Sequence, residues 1–115
     1  MKKFLLARIQ SFKCAFAGLA AVKSEVHMRI HVLIALSAIV IGLIQEINAC
    51  EWLLIIGCIG LVLMAEIFNT AIEKTINYIS LDKNPEAKVI KDISAAAVLI
   101  SAITASIIGS YILFF

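Results

Sequence analysis

Cysteine is scarce in this chain, and the spacing of the cysteines argues against two common kinds of site. The three cysteines are Cys14, Cys50 and Cys58, and no two of them have C-x-x-C spacing. Disulfide frameworks use an even number of cysteines, and structural zinc sites usually contain closely spaced pairs. We therefore expect neither a disulfide framework nor a zinc site, and we interpret the cysteines as reduced structural residues.

The usual phosphate-binding signatures are also missing. The sequence contains no glycine-rich phosphate loop and no protein-kinase signature, so a nucleotide site in this protein would have to be of another type. Internal repeats, low-complexity segments and flexible linkers are absent as well. With a length of 115 residues, the chain is expected to form a single domain that covers residues 1–115.

Charged residues are few, and hydrophobic residues dominate the composition. Of the 115 residues, 16% are charged and 63% are hydrophobic, and the mean hydropathy is +1.05. A soluble domain of this size has too high a surface-to-volume ratio to bury so much apolar surface. The composition therefore predicts an integral membrane protein, in which lipid covers part of the apolar surface.

The hydrophobic pattern predicts an all-α fold with three transmembrane helices and an N-terminal amphipathic surface helix. Residues 1–23 carry an apolar stripe at helical spacing, and the lysines beside it suit anionic headgroups. A signal peptide is the alternative for this segment, but Arg8 and Lys13 interrupt its apolar region. The membrane helices are expected at about residues 28–46, 49–79 and 85–115.

Two of these helix starts carry capping signals. Asn48 is followed three residues later by Glu51, which is typical of a capping box. Asn84 is followed by the only proline, Pro85, and this pair is typical of an N-cap residue and the first helical residue. We therefore expect the second and third membrane helices to begin beside these asparagines.

The distribution of positive charge predicts the orientation in the membrane. All ten Lys and Arg residues lie within residues 1–29 or 74–91, and the turn at 45–51 has none. Positive segments usually stay in the cytoplasm. The N-terminus and the turn near residue 82 are therefore expected on the cytoplasmic side, which would also collect most of the polar side chains discussed next.

The stretch Ala65–Asn77 places regularly spaced polar residues on an otherwise apolar helix. Glu66, Asn69, Glu73 and Asn77 follow one another at steps of three, four and four residues, so they share one helix face. An acidic side chain inside a membrane costs roughly 2.5–3.5 kcal/mol on insertion scales. Such acids usually bind a metal or transfer a proton. Helix packing is the structural alternative, with Asn69 as an interhelical hydrogen-bonding residue.

The polar residues of the cytoplasmic side suit phosphoryl transfer. Glu25 and Glu73 would stand near the interface, and two carboxylates favour a hard cation such as Mg²⁺. Lys91 and Asp92 can hold a polar ligand at the same level. Glu66, about 10 Å deeper than Glu73, suits a general base at the lipid boundary. The pattern predicts phosphoryl transfer from a soluble donor to a membrane-embedded hydroxyl, which needs mainly positioning and charge neutralisation.

Other functions account for parts of the same pattern. A small proton-coupled exporter would use Glu66 as its proton carrier, although such exporters usually have four spans with the glutamate in the first. A purely structural membrane subunit would need none of these glutamates. We interpret His27 and His31 as interfacial side chains rather than metal ligands, and Lys88 as a topology signal.

Two motifs resemble the signatures of the prokaryotic diacylglycerol kinase family. EIFNTAIE at Glu66–Glu73 resembles E-x-x-N-[ST]-A-[IV]-E, and AKVIKDISAAAVLI at Ala87–Ile100 resembles A-K-x-x-K-D-x-x-[AS]-[AG]-A-V. Glu25 and Arg29 resemble the stretch that enters the first span of the family. The resemblance implies a homotrimer of three-span subunits in the bacterial cytoplasmic membrane, with active sites shared between subunits. It also implies Mg²⁺- and ATP-dependent phosphorylation of a lipid alcohol.

The resemblance further implies roles for individual residues. Glu66 resembles the general base that contacts the lipid and takes its hydroxyl proton, and Glu25 and Glu73 resemble the residues that hold Mg²⁺. The implied ATP-binding residues are Glu25, Asn69, Glu73, Asp82, Lys83, Asn84, Lys91 and Asp92. Arg29 is a further candidate for contact with the lipid substrate.

The N-terminal helix departs from the family pattern, and the lipid substrate stays open. Cys14 aligns where members often carry a nucleotide-contacting tyrosine, and Arg8 falls one residue from an arginine of the family; both remain candidate ATP contacts. Some members act on diacylglycerol and others on undecaprenol. The Arg29–His31 stretch and the short turn at 45–50 lean towards undecaprenol.

Overall fold

The computed structural model of the protein describes residues 1–80 and 84–115, and within these ranges it contains four α-helices and no strand. The helices are α1 Lys2–Val22, α2 Val26–Gln45, α3 Ala49–Ile79 and α4 Pro85–Phe114. These bounds agree closely with the sequence prediction. The largest difference is at the start of α2, which begins two residues before the expected residue 28.

The predicted capping interactions are confirmed at the starts of α3 and α4. The Asn48 side chain accepts a hydrogen bond from the Glu51 backbone N–H at 3.0 Å, and the Glu51 carboxylate accepts one from the Asn48 N–H at 2.9 Å. At α4, Asn84 Oδ1 accepts from the Glu86 N–H at 2.9 Å, and Pro85 is the first helical residue. These bonds satisfy backbone donors that would otherwise lack partners at each helix start.

The helices differ in how much of their surface they bury against one another. α3 and α4 pack along each other most extensively, α2 contacts α3 and to a smaller extent α4, and α1 makes only a small contact with α3. Val22 is the only buried residue of α1. The helices α2–α4, which pack against one another, therefore form the body of the fold. The helix α1 makes little contact with it.

In the described part of the chain, the interior holds almost as many polar as apolar residues. The buried apolar side chains are Val22, Met28, Ala35, Ile55, Val62 and Leu113, and the buried polar ones are Glu66, Asn69, Thr70, Ser94 and Ser101. Large apolar side chains are exposed along all four helices. Such an arrangement is typical of a protein whose apolar surroundings are provided by lipid.

All four helices of the described ranges are long and apolar enough to cross a membrane on length and composition alone. The all-α membrane architecture is therefore confirmed. The division into three spans and one surface helix stays a prediction, because α1 also meets these two criteria.

The α2–α3 turn brings two helices into close contact at Gly42. Glu46 ends α2 in the left-handed conformation with φ 52°, and the Ile47 N–H donates to the Gly42 carbonyl at 3.3 Å. A Cβ atom on Gly42 would lie 3.1 Å from both Ile47 Cδ1 and Trp52 Cη2. The absence of a side chain at residue 42 therefore lets the Trp52 indole pack directly on α2.

Replacing Gly42 by leucine is expected to destabilise the protein by about 1–3 kcal/mol, because the added side chain overpacks this contact. The measurement is the free energy of unfolding in mixed detergent micelles, followed by circular dichroism. Gly18→Leu is the matched control, since a Cβ there meets no atom within 4 Å. Equal stability of the Gly42→Leu and wild-type proteins would contradict the described packing.

Candidate active site

Glu66 is the most deeply buried acidic residue of the candidate site. It lies on the inner face of α3 with 3% of its surface exposed. In the described part of the chain, the Glu66 carboxylate contacts His31 of α2, whose Nε2 lies 3.7 Å from Glu66 Oε2. An acid removed from water in this way needs a function or a partner to offset its desolvation.

Several other ionisable residues lie around Glu66. His27 and His31 of α2, Glu25 at the N-cap of α2 and Glu73 of α3 are all close enough to interact electrostatically with the Glu66 carboxylate. The structure thus brings together the three glutamates that the sequence analysis selected. It places them where α2 begins and where the last turns of α3 lie.

Asn69 and Glu73 form a contact on the same face of α3. Asn69 Nδ2 donates a hydrogen bond to Glu73 Oε1 at 3.3 Å. Asn69 is 7% exposed, and its Oδ1 has no partner among the residues the structure describes; the same is true of the buried Ser94 hydroxyl on α4. Buried polar atoms usually have partners. An unpaired acceptor beside Glu73 is therefore consistent with a polar ligand at this place.

Glu25 is held at the corner between α1 and α2. Its backbone N–H donates to the Val22 carbonyl at 3.0 Å, and Arg29 Nε donates to the Lys23 carbonyl at 3.3 Å. The Glu25 carboxylate lies 3.7 Å from Lys74 Nζ of α3, with both side chains substantially exposed. An exposed pair of this kind contributes little stability, so Glu25 can exchange Lys74 for another cation at small cost.

Lys91 and Asp92 are adjacent in sequence but contact different residues. Lys91 Nζ donates a short hydrogen bond to Asn77 Oδ1, which connects α4 to α3. Asp92 pairs with Lys88 one turn earlier, with an Nζ–Oδ2 distance of 2.7 Å. Lys88, interpreted from sequence as a topology signal, therefore also contacts a predicted site residue. Asn77 belongs to the polar face that the sequence analysis identified.

The other predicted ATP-binding residues are not brought to Glu66 by contacts in the structure. The Arg8 guanidinium lies over the Phe4 ring at 4.8 Å from its centroid, and Cys14 Sγ accepts from Gln10 Nε2 at 3.8 Å; all four residues belong to α1. Asn84 caps α4. Asp82 and Lys83 lie outside the described residues, so their predicted roles stay predictions.

The carboxylates of Glu25 and Glu73 are the candidate metal ligands of the site. Within residues 1–80 and 84–115, no group of three or more His, Cys, Asp or Glu side chains is arranged to hold a metal ion. Mg²⁺, however, typically binds one or two carboxylates and takes its remaining ligands from water and substrate phosphates. Among the described residues, the Glu73 carboxylate accepts from the neutral Asn69 amide, and the Glu25 carboxylate pairs with the exposed Lys74. These two carboxylates therefore fit Mg²⁺ that arrives with a nucleotide.

An apolar cavity begins beside the buried glutamate. It measures about 340 Å³ and lies between α2, α3 and α4. His31 stands at one end of its lining and Leu113 at the other, with Ala35, Ile55 and Val62 between them. The cavity therefore runs from the residue that contacts Glu66 towards the α2–α3 turn.

His31 is the site residue that sequence reasoning missed. From the sequence it was interpreted as an interfacial side chain, and the structure adds that its Nε2 lies 3.7 Å from Glu66 Oε2. One signal was available, because His31 is the last ionisable residue of α2 before a long uncharged run. Glu66 likewise marks the polar edge of the apolar run in α3, so the two residues belong to the same boundary.

The chain is similar to a family of known proteins. The family model described as prokaryotic diacylglycerol kinase matches residues 13–113. The chain is 34% identical over 87 residues to an undecaprenol kinase of Bacillus subtilis, which covers 76% of this chain and 71% of that protein. Two diacylglycerol kinases are also similar.

The kinase of Pseudomonas aeruginosa is 34% identical over 79 residues, covering 69% of this chain and 64% of that protein. The kinase of a Synechocystis species is 30% identical over 105 residues, covering 90% and 60%. The chain thus spans less than two thirds of the length of these two relatives. The family match extends over nearly all of the present chain, including both motifs and every glutamate of the site. The chain therefore belongs to the prokaryotic diacylglycerol kinase family, and it is a membrane lipid kinase.

Proposed function

We propose that the protein transfers the γ-phosphoryl group of ATP to the hydroxyl of undecaprenol or diacylglycerol, with Glu66 as the general base. The single observation that carries this proposal is the position of Glu66. It is a buried carboxylate beside His31, which lines an apolar cavity, and the other acids of the site lie nearby. A lipid hydroxyl and a polar donor can both reach such a position.

In the proposed reaction, Glu66 accepts the proton of the lipid hydroxyl and the hydroxyl oxygen forms a bond to the γ-phosphorus. The bond from the γ-phosphorus to the β–γ bridging oxygen breaks, which releases ADP. General-base catalysis of this kind typically contributes 10²–10⁴-fold. The remaining acceleration comes from positioning and charge neutralisation, as in other phosphoryl transfers.

The residues towards the α1–α2 corner are proposed to bind the nucleotide. Glu25 and Glu73 would hold Mg²⁺, which supplies charge neutralisation to the phosphates when bound. Asn69 orients Glu73 through its amide, and Lys91, held by Asn77, provides a positive charge for the phosphates. Further nucleotide contacts are proposed for Asp82, Lys83, Asn84 and Asp92, and at the edge of the site for Arg8, Cys14 and, towards the lipid, Arg29.

We also propose the assembly and orientation that the sequence predicted. α1 lies on the cytoplasmic surface of the bacterial inner membrane, α2, α3 and α4 cross it, and the site faces the cytoplasm. The small contact of α1 with the remaining helices supports a surface position. The active form is proposed to be a homotrimer with sites shared between subunits. The exposed apolar surface of α2–α4 supports this arrangement, because neighbouring subunits would cover part of it.

The proposal is tested by assaying purified protein in mixed micelles with labelled ATP and two lipids side by side, undecaprenol and diacylglycerol. We expect labelled phosphate on at least one lipid, and faster transfer to undecaprenol. Omission of Mg²⁺, with a chelator present, should abolish the label. Absence of transfer to both lipids in the presence of Mg²⁺ would refute the proposed function.

A further inference from the structure

The orientation of the Glu66 carboxylate is the starting point of a further inference. A general base must present one oxygen to the substrate hydroxyl within about 2.6–3.2 Å. The amide of Asn69, one turn away on α3, donates to Glu73 and not to Glu66. On the evidence of the described residues, the contact that can fix the Glu66 carboxylate is the one from His31.

His31 is well placed for that task because it lies on a different helix and is itself restricted. Its side chain is 16% exposed, compared with 4% for Glu66. The Nε2 atom faces Glu66 Oε2, while another part of the same side chain lines the apolar cavity. His31 therefore contacts both the carboxylate and the cavity.

We propose that His31 is a positioning residue for Glu66: its Nε2–H donates a hydrogen bond to Oε2 in the substrate complex and leaves Oε1 to face the lipid hydroxyl. The inference rests on the proposed role of Glu66 as general base. The present separation of 3.7 Å is longer than a hydrogen bond. Contacts of catalytic groups are often long before substrate binds and shorten in the reacting complex. Nε2 keeps its proton throughout, and the hydroxyl proton goes to Oε1.

The geometry favours this role over metal binding or simple packing. The described residues place no third ligand with His31 and Glu66 for a metal. An apolar side chain would fill the space beside the cavity equally well, so packing alone does not require an imidazole. A donor aimed at a buried carboxylate oxygen does require one, or a side chain that can imitate it.

The test compares four variants by steady-state kinetics with labelled ATP and lipid in micelles. His31→Leu removes the donor, His31→Asn keeps an amide that is too short to reach Glu66, and His31→Gln can reach it. Glu46→Gln is the control, since Glu46 lies at the α2–α3 turn, at the opposite end of α2 from His31. Helical content and oligomeric state are measured for each protein.

We expect His31→Leu and His31→Asn to lower kcat about 10- to 100-fold, because a small misplacement of a reacting group costs rates of this size. KM for ATP should stay unchanged, since the nucleotide residues are not touched. His31→Gln should restore most of kcat, and Glu46→Gln should stay within about threefold of the wild type. If His31→Leu fails to fold, the comparison of Gln with Asn decides the question.

A second measurement separates positioning from a general structural role. When Glu66 is already replaced by glutamine, adding His31→Leu should cause no further loss, because the group that it orients is gone. An equal loss in both backgrounds, or no loss in the wild-type background, would overturn the inference. A fully active Glu66→Gln protein would instead overturn the proposed base, so the two failures are distinguishable.

Discussion

Glu66→Gln should reduce lipid phosphorylation by a factor of about 10²–10⁴, the contribution usual for a general base. The substitution keeps the size and shape of the side chain but removes its ability to accept a proton. Because Glu66 is only 3% exposed, bulk water cannot readily replace it at the lipid hydroxyl. The measurement is kcat with saturating ATP and lipid, with KM for ATP determined in parallel.

The control for this prediction is Glu46→Gln, which removes a carboxylate from the α2–α3 turn at the opposite end of the helices. The control protein should retain wild-type kcat. KM for ATP should be unchanged in the Glu66→Gln protein, because Glu66 is not placed at the nucleotide. A kcat within tenfold of the wild type would show that another group takes the proton.

Glu73→Gln is expected to lower activity by about 100-fold or more at moderate Mg²⁺ concentration, equivalent to roughly 3 kcal/mol of lost transition-state stabilisation. The physical reason is the loss of one anionic oxygen donor for the cation that neutralises the phosphates. The Asn69 amide can still donate to the new side chain, so the local packing is retained.

The measurement for this second prediction is a Mg²⁺ titration of the rate at fixed ATP. The Glu73→Gln protein should require a higher Mg²⁺ concentration for half-maximal rate and should recover part of its activity when Mg²⁺ is raised. Glu46→Gln again provides the control and should follow the wild-type curve. Unchanged Mg²⁺ dependence in the Glu73→Gln protein would remove this residue from the proposed metal site.

The helices could be predicted from the sequence because their limits depend on local chemistry. Asn48 and Asn84 mark helix starts through bonds to residues two or three positions away, and such short-range signals survive in a single sequence. The shared face of Glu66, Asn69 and Glu73 was equally predictable, since helical periodicity alone determines it. The acidic residues of α3 could therefore be assigned to the site from the sequence alone.

The contacts between helices could not be predicted in the same way. The approach of His31 to Glu66 and of Lys91 to Asn77 depends on which helices are neighbours and on how each is rotated about its axis. Neither quantity follows from the periodicity of one helix. The four-residue spacing of Lys88 and Asp92 allows their pairing to be predicted. The spacing does not show whether Asp92 pairs with Lys88 or contacts a ligand.

The apolar cavity lies between two polar contacts that α2 makes with its neighbouring helices. At one end His31 contacts Glu66, and at the other the Gln45 side chain donates to the Leu113 carbonyl at 2.6 Å. Between these two contacts, the residues that line the cavity are mostly apolar and offer few groups for hydrogen bonds. In this stretch of α2, the side-chain hydrogen bond formed by the described residues stays within the helix, from Ser37 Oγ to the Leu33 carbonyl at 2.9 Å. Non-directional apolar packing therefore holds the middle of α2 against α3 and α4, whereas polar contacts hold its two ends.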